Sequence, residues 1–249
     1  MKIRVLTPFL ALGALVLIVS LACITTTPTA PPPPTQGIQP TQPPLPTSPP
    51  AATATEATPA FFTEEFTTDF LANWSYFLTS GEDRDFSLTS GNDRLTFDIT
   101  ATNTWTYLLY DPYIYTDVRI DTRATNLGYN NNNVSFICRY TGDDWYEVNV
   151  YNSGLYDILY GKWDADGVGA SYDSITDGGI SWLKTGKDTN EYVVMCVDNE
   201  ISLYVNAKEV TTVEVRSYNL REGQVGIGVS SFNVVPITVE FDYVTISEP

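Results

Sequence analysis

The sequence predicts an all-β domain, an antiparallel two-sheet sandwich, preceded by a signal segment and a disordered linker rich in proline and threonine. Between residues 61 and 247, Tyr, Trp, Phe, Val, Ile and Thr dominate in short runs that alternate with polar residues, as in half-buried strands. No window shows a convincing helical period. About a dozen such runs follow one another at intervals of roughly 8 to 15 residues, joined by short turns, and this spacing is typical of sandwiches.

Residues 1–22 have the composition of an export signal. A positive start (Lys2, Arg4) is followed by a long apolar stretch that ends on small residues directly before Cys23. The segment resembles a bacterial lipoprotein signal peptide, although Ser20 stands where the lipobox usually has leucine, and the resemblance implies a lipidated Cys23. The alternative is an uncleaved membrane anchor, since about 18 apolar residues just span a bilayer. Both predict an extracytoplasmic domain held at the bacterial cell membrane.

Residues 23–60, which begin with Cys23, are predicted to be a linker. Twelve of the chain's 16 prolines lie between residues 24 and 60, among Thr, Ala and Gln, and Glu56 is the only charged residue there. Such a composition cannot bury a core and favours extended polyproline II backbone. We therefore expect a stalk that holds the domain of residues 61–249 away from its anchor, and we expect that domain to be monomeric.

The charge and the residue inventory exclude several functions. The chain has 30 acidic against 13 basic side chains, a net charge of −17, and no histidine. A strongly negative surface repels phosphate backbones, so nucleic acid is excluded as a partner. Without histidine, the chain has no Ser-His-Asp or Cys-His nucleophile and no histidine-ligated zinc site.

The first half of the domain contains a clear hairpin signal. Two alternating runs, 86–88 and 95–99, flank a Ser-Gly-Asn-Asp turn at residues 90–93. Further strands are predicted at 61–66, 105–109 and 118–122.

The strongest pattern is a second hairpin in the middle of the chain. Residues 134–140 and 145–151 alternate around the polar turn 141–144. We expect the core-facing side chains to be Val134, Phe136, Cys138, Tyr146, Val148 and Val150. The other parity then places Trp145, Glu147, Asn149 and Tyr151 outward, beside Arg139.

The second half of the domain adds further strands and one gap. Residues 164–177 are acidic and glycine-containing and are predicted to be irregular. Residues 190–197 and 201–206 form another hairpin across Asp198-Asn199. Further strands are predicted at 155–160, 210–215, 224–230 and 237–246.

Seven stretches resemble, in order, the concanavalin-A-like lectin/glucanase jelly rolls, in particular their laminin-G-like and 3-keto-disaccharide-hydrolase-like branch. They are residues 66–74, 136–140, 146–150, 190–196, 201–206, 222–228 and 239–244. One departure is Asn206-Ala207, where relatives usually have Asn-Gly. The resemblance implies a jelly-roll β-sandwich with a concave sheet that in many relatives holds sugars.

Two cysteines remain in the domain, Cys138 and Cys196, each at a core-facing position of a hairpin. In an exported domain a disulfide between them is plausible and would be worth about 4 kcal/mol by loop entropy. The alternative is two buried free thiols that pack as small apolar side chains.

The outward face of the central hairpin is the candidate ligand site. Aromatic rings cover the apolar face of a pyranose, while amides, arginine and carboxylates bind its hydroxyls. The candidate residues are Tyr115, Asp117, Arg139, Trp145, Glu147, Asn149 and Tyr151. Trp163 and Trp182, near loops, are candidates for the border of the site. The alternative is an ordinary solvent face on which Arg139 pairs with Glu147 or Asp117.

No catalytic residue can be named from the sequence. Retaining glycosidases of this fold carry Glu-x-Asp-x-x-Glu on one strand, because two carboxylates must flank the bond at about 5 Å. The chain lacks that cluster. Asp117 and Asp121 would lie roughly 13 Å apart along an extended strand. Carboxylates from neighbouring strands can still converge.

A structural calcium ion is a further possibility. Glu64 or Glu65 meets Asp242 if the first and last strands pair, and the resemblance places calcium near the termini. The run from Asp164 to Gly167 places two carboxylates before a glycine, but the remaining ligands of a calcium loop are missing.

The first hypothesis for function is a non-catalytic, lectin-like module that binds a glycan or another cell-surface polymer. The second is a protein-interaction or envelope-structural module without a small ligand. The third is a glycoside-active enzyme of the 3-keto-disaccharide hydrolase type.

Overall fold

A computed structural model describes residues 58–67 and 70–249, which belong to a compact unit spanning Ala54–Pro249. The signal peptide predicted at 1–22, Cys23 and the linker up to residue 57 lie outside the described residues. Within the described ranges, no helix has the length and apolar character needed to cross a membrane.

The described residues form fifteen strands and two short 3-10 turns, Phe70–Asn73 and Asp83–Asp85. The strands are β1 (Phe62–Glu64), β2 (Trp74–Ser80), β3 (Phe86–Ser90), β4 (Leu95–Ile99), β5 (Trp105–Tyr110), β6 (Val118–Asn126), β7 (Asn132–Tyr140), β8 (Asp144–Tyr151), β9 (Leu155–Trp163), β10 (Ala170–Gly179), β11 (Thr189–Val197), β12 (Glu200–Val205), β13 (Lys208–Glu214), β14 (Gln224–Ser231) and β15 (Ile237–Ser247).

These strands make two antiparallel sheets. The eight-stranded sheet has the order β13-β12-β11-β6-β15-β4-β3, with β1 also paired to β15. The seven-stranded sheet has the order β10-β9-β8-β7-β14-β5-β2. The predicted all-β, two-sheet jelly-roll sandwich is confirmed.

The main core lies between the two sheets because each strand sends alternate residues inward. On β6, Val118, Ile120 and Ala124 are buried, while Arg119 and Arg123 between them are partly exposed. From the other sheet, Phe136, Val148 and Ile227 pack into the same cluster.

A disulfide joins the two sheets through this core. Cys138 on β7 and Cys196 on β11 are bonded, with their Cα atoms 6.7 Å apart. The predicted disulfide is confirmed, and the alternative of two free thiols is wrong.

Strand β10 differs from the prediction of an irregular segment at 164–177. Ala170–Gly179 pairs with β9 along its length, with a shift in register between Ser174 and Thr176. Its polar, glycine-containing sequence shows no apolar alternation, so its backbone pairing could not be read from the residues. This edge strand carries Tyr172, which is central to the site.

Candidate functional site

Trp145, Glu147 and Asn149 share the face of the seven-stranded sheet that points away from the main core. They are nevertheless buried, at 0%, 1% and 2% exposure. The expectation that they face solvent is therefore wrong. Trp145 belongs to a second apolar cluster, separate from the main core, with Tyr107, Leu109 and Ile137.

The face is closed because the two edges of the sheet meet across it. Tyr172 on β10 donates a hydrogen bond from its hydroxyl to Oγ1 of Thr79 on β2, at 2.9 Å. The Tyr172 ring lies 5.4 Å from Trp105 and 6.0 Å from Trp145. Since β10 and β2 are the outermost strands, the sheet must curl strongly for their side chains to touch. We call this buried surface the closed face.

Phe77 packs at the centre of one end of the closed face. Its ring stacks on Tyr107 at 4.8 Å and on Tyr140 at 5.2 Å. It meets the edges of Trp145 and Trp163 at 5.6 and 5.5 Å. Aromatic packing from β2, β5, β7, β8 and β9 thus fills the space that an open concave sheet would offer to a ligand.

Glu147 is a carboxylate held inside this aromatic packing. It accepts hydrogen bonds from the Tyr107 hydroxyl at 2.8 Å, the Trp145 indole N–H at 3.0 Å and the Asn149 amide at 3.0 Å. Burial raises the pKa of Glu147 to about 7, and the three donors oppose that shift only in part. The nearby carboxylate and burial also raise the pKa of Tyr107 well above its ordinary value, burial being the larger cause.

Asn149 links Glu147 to a second carboxylate, Asp157 on β9. Its Nδ2 donates to both, at 3.0 Å to Glu147 and 2.9 Å to Asp157, and its Oδ1 accepts from Ser135 at 2.6 Å. Tyr151 donates to the other oxygen of Asp157 at 2.6 Å. Burial raises the pKa of Asp157 as well. Carboxylates from neighbouring strands do converge on Asn149, and of the two Glu147 is 1% exposed.

Arg139 does not join Trp145, and its predicted place on that face is wrong. Across β7 and β14, Tyr140 pairs with Gln224 while Ile137 pairs with Gly226, so β7 has one extra residue there. Arg139 takes up this β-bulge with φ of 55°. The bulge interrupts the alternation, so Ile137 and Tyr140 face the closed face and Arg139 does not.

The Arg139 side chain is instead buried beside two chain segments. Its guanidinium donates to the Thr116 carbonyl at 2.9 and 3.2 Å and to the Leu220 carbonyl at 2.9 Å, and Asp117 lies 3.6 Å away. Burial lowers the pKa of Arg139, and Tyr146 and Asp117 oppose that shift. The contacts give Arg139 a structural role at the edge of the core.

Tyr115 and Asp117 also lie away from Trp145. Tyr115 is buried in the main core, and its hydroxyl donates to the Ala60 carbonyl. Asp117 accepts the backbone N–H of Asp198 at 2.8 Å. The prediction that they share one face with Trp145 is wrong, because that expectation took neighbouring predicted strands to be neighbours in one sheet.

The visible border of the closed face is a strip of partly exposed rings that we call the aromatic rim, Tyr151, Phe232, Trp105 and Tyr172. Tyr151 stacks on Phe232 at 5.5 Å, Phe232 meets Trp105 at 6.5 Å, and Trp105 meets Tyr172 at 5.4 Å. Of these, only Tyr151 was a predicted site residue. Trp105 lies two residues before Tyr107 on β5, so the two side chains share one face of the sheet. That spacing is the sequence signal that could have placed Trp105 beside the closed face.

The two tryptophans predicted for the border lie apart. Trp163 packs on the closed face, and its indole N–H donates to the Tyr140 hydroxyl at 3.2 Å. Trp182 packs against the main core and donates to the Val205 carbonyl at 3.0 Å.

The three carboxylates predicted for calcium do not form a ligand set. Asp242 is paired with Arg123 at 2.6 Å and Arg94 at 3.0 Å, and Glu64 accepts the backbone N–H of Phe66. Among residues 58–67 and 70–249, no group of three or more acidic or cysteine side chains is placed to hold a metal. A carboxylate already neutralised by two guanidinium groups suits a cation poorly. Calcium binding by Glu64, Glu65 and Asp242 stays a prediction that this geometry does not favour.

Comparison with known proteins identifies relatives in structure only. No family model and no curated protein matches the chain. The carbohydrate-binding module CBM66 from Bacillus subtilis is 13% identical, covering 71% of this chain and 96% of its own, with a TM-score of 0.51.

Two further solved structures have the same architecture. A protein of unknown function with a galectin-like fold from Bacillus subtilis is 5% identical and covers 75% of this chain and 94% of its own, with a TM-score of 0.56. A β-glucanase from Bacillus licheniformis is 13% identical and covers 77% and 100%, with a TM-score of 0.51. At such identities the likeness shows the fold, a concanavalin-A-like or galectin-like jelly roll, and the predicted finer branch stays a prediction.

Proposed function

We propose that this domain is a non-catalytic carbohydrate-binding module that holds a glycan along the aromatic rim. The observation that carries the proposal is the strip Tyr151, Phe232, Trp105 and Tyr172, whose rings follow one another at 5.4–6.5 Å with part of their surface in solvent. Rings held by their neighbours cover the apolar faces of sugar units at little conformational cost.

Polar groups beside the rim supply partners for sugar hydroxyls. The Tyr151 hydroxyl and the Asp157 carboxylate lie at one end of the strip. At the other, the Tyr172 hydroxyl lies between Thr79 and Tyr107. A few placed polar groups next to aromatic surface are the usual composition of a sugar-binding site.

The burial of Glu147 supports binding without hydrolysis. A general acid must reach the glycosidic oxygen, and a retaining pair must lie on both sides of the bond. Glu147 is 1% exposed and is occupied by three donors from its own chain. Its raised pKa follows from burial and serves no substrate on this account.

The kinds of protein with the same fold support the proposal by analogy. They include a carbohydrate-binding module, a β-glucanase and glycoside hydrolases of family 16. Because one fold hosts many functions, these proteins only raise the expectation of sugar binding, and the aromatic rim carries the proposal.

Retention by soluble polysaccharides tests the proposal. We expect the domain to be slowed in native gels cast with at least one of a set of neutral β-glucans, mannan and xylan. Trp105→Ala and Phe232→Ala should each weaken that retention about tenfold, the loss of roughly 1.4 kcal/mol of ring contact. Tyr76→Ala is the matched control, since Tyr76 is 47% exposed and packs on Phe86.

Two outcomes would overturn it. One is the absence of retention in every gel by folded protein, which would favour a protein-interaction module. The other is a rim variant that keeps its circular dichroism spectrum and is retained as strongly as the unaltered chain.

We also propose that the domain works outside the cell, tethered through Cys23. The composition of residues 1–60 supports this. Mass spectrometry of the membrane fraction should find an acylated Cys23 at the mature N-terminus. A chain that retains Met1 would instead favour the uncleaved anchor.

A further inference from the structure

The outer face of the eight-stranded sheet carries a cleft that is remote from the aromatic rim. The cleft has a volume of about 780 Å³, within the range of sites for small ligands. Its lining comes from β1, the β3–β4 turn, β6 and β15. None of these strands belongs to the seven-stranded sheet.

The floor of the cleft is the Tyr243 ring, and the Arg123 guanidinium lies over it. The Arg123 guanidinium lies 5.7 Å from the centre of the Tyr243 ring and bonds Asp242 at 2.6 Å. Arg94 bonds the same carboxylate at 3.0 Å and Glu240 at 3.3 Å. This network holds the two arginines in place and neutralises their charges within the cleft.

A second cleft continues the first towards β12. It has a volume of about 480 Å³ and shares Asp121 and Tyr243 with the first cleft. Its further lining includes Val193, Met195 and Tyr204, whose side chains add apolar surface. We call the two together the outer groove. It crosses β15, β6 and β11, so it suits an extended ligand rather than a single small molecule.

One end of the outer groove has a surplus of negative charge. Glu65 and Asp93 line the first cleft and are exposed, and neither forms an ion pair with any of the described residues. Asp93 is fixed by the β3–β4 turn, in which it and Asn92 both have positive φ, at 57° and 54°. Two unpaired carboxylates at the end of a groove with a tyrosine floor favour a ligand that carries ammonium groups.

We propose that the outer groove binds a glycan chain with free amino groups. The ammonium groups pair with Glu65 and Asp93, and the sugar rings follow the groove past Tyr243 towards the apolar surface of Met195 and Tyr204. The chain's net charge of −17 steers such a polycation towards the domain. This site is separate from the aromatic rim, and binding in the outer groove does not depend on binding at the rim.

Calorimetry with two oligomers of one backbone tests the proposal on the full chain. The probes are a glucosamine hexamer and its fully N-acetylated counterpart, at mildly acidic pH where the amines are protonated. We expect the glucosamine hexamer to bind at least about tenfold more tightly. Glu65→Gln with Asp93→Asn should abolish that preference, and added salt should weaken it.

Two controls distinguish binding in the outer groove from general electrostatic attraction and from binding at the aromatic rim. Asp166→Asn with Glu222→Gln removes the same charge from exposed carboxylates elsewhere and should leave the preference intact. Trp105→Ala, which tests the rim, should also leave it intact, whereas Tyr243→Ala should weaken binding of the hexamer. Equal binding of the two oligomers, or equal losses in the two charge-matched double variants, would overturn the proposal.

Discussion

Glu147 shows at the scale of one residue how burial competes with hydrogen bonding. Three donors stabilise its charged form, yet its pKa rises from 4.5 to about 7 because burial in the closed face costs more. Between these two values the folded chain holds a proton that the unfolded chain has lost. The stabilisation is complete below the unfolded pKa and disappears as the pH rises through about 7.

We therefore expect the free energy of unfolding to fall between pH 4.5 and 7 by up to roughly 3 kcal/mol through Glu147. Glu147→Gln cannot titrate and should lose this part of the pH dependence, whatever its own stability. Urea unfolding of both proteins across that range measures the difference. Parallel pH profiles would mean that Glu147 is ionised and reached by water in the folded state.

Arg139 is predicted to stabilise the fold rather than bind a ligand. Arg139→Ala removes a buried guanidinium together with its three hydrogen bonds to the Thr116 and Leu220 carbonyls and should cost about 3 kcal/mol. Arg216→Ala is the matched control, because the Arg216 side chain is 70% exposed and pairs with exposed Glu214, so it should cost less than about 0.5 kcal/mol. Urea unfolding measures both. Equal costs would contradict the buried position of Arg139.

At the scale of the strands, β8 and β9 depend on a glycine. A Cβ on Gly161 would lie 2.5 Å from the Trp145 ring, which is itself enclosed. We expect Gly161→Ala to destabilise the fold by about 2 kcal/mol, because the ring cannot move without disturbing the closed face.

Gly91→Ala is the control for this substitution. Apart from its two chain neighbours, no residue has an atom within 4 Å of the added Cβ, so the change should stay within about 0.5 kcal/mol. If Gly161→Ala is equally mild in chemical unfolding, Trp145 does not pack against β9 as described.

The strands also show what the sequence could and could not predict. The hairpins at 86–99 and 134–151 follow from alternation and turn residues, and the disulfide follows from two core-facing cysteines behind a segment that predicts export. The β-bulge at Arg139 cannot be predicted from such local patterns. It depends on Gly223, whose added Cβ would lie 2.3 Å from the Arg139 carbonyl carbon. A contact between residues so distant in sequence leaves no local pattern.

The closing of the site could not be predicted for a related reason. Parity correctly grouped Trp145, Glu147 and Asn149, but parity does not say whether a second sheet face is open. That depends on Tyr172, which lies in a polar segment, and on Phe77 from the opposite edge. Both meet Trp145 only after the sheet has curled.

At the scale of the whole molecule, three tyrosines bind the chain where it enters the domain. The hydroxyls of Tyr110, Tyr113 and Tyr115 donate to the carbonyls of Pro59, Thr58 and Ala60. Burial raises the pKa of Tyr110 and of Tyr115. The last residues of the proposed stalk are thus part of the folded unit.

A chain that begins at residue 61 should therefore be less stable than one that begins at residue 54. Losing three such hydrogen bonds should cost roughly 2 kcal/mol. A chain that begins at residue 58 keeps all three carbonyls and should match the longer one. Thermal unfolding of the three lengths decides this, and equal midpoints would show that the tyrosines contribute nothing to stability.

The central claim is that a closed face lies behind a glycan-binding rim, and hydrogen exchange of the tryptophan indoles tests it most directly. By NMR, the Trp145 indole N–H, which donates to Glu147, should exchange slowly and keep its chemical shift when a retained oligosaccharide is added. The Trp105 indole signal should shift. Rapid exchange at Trp145, or a ligand-induced shift there as large as at Trp105, would contradict the account.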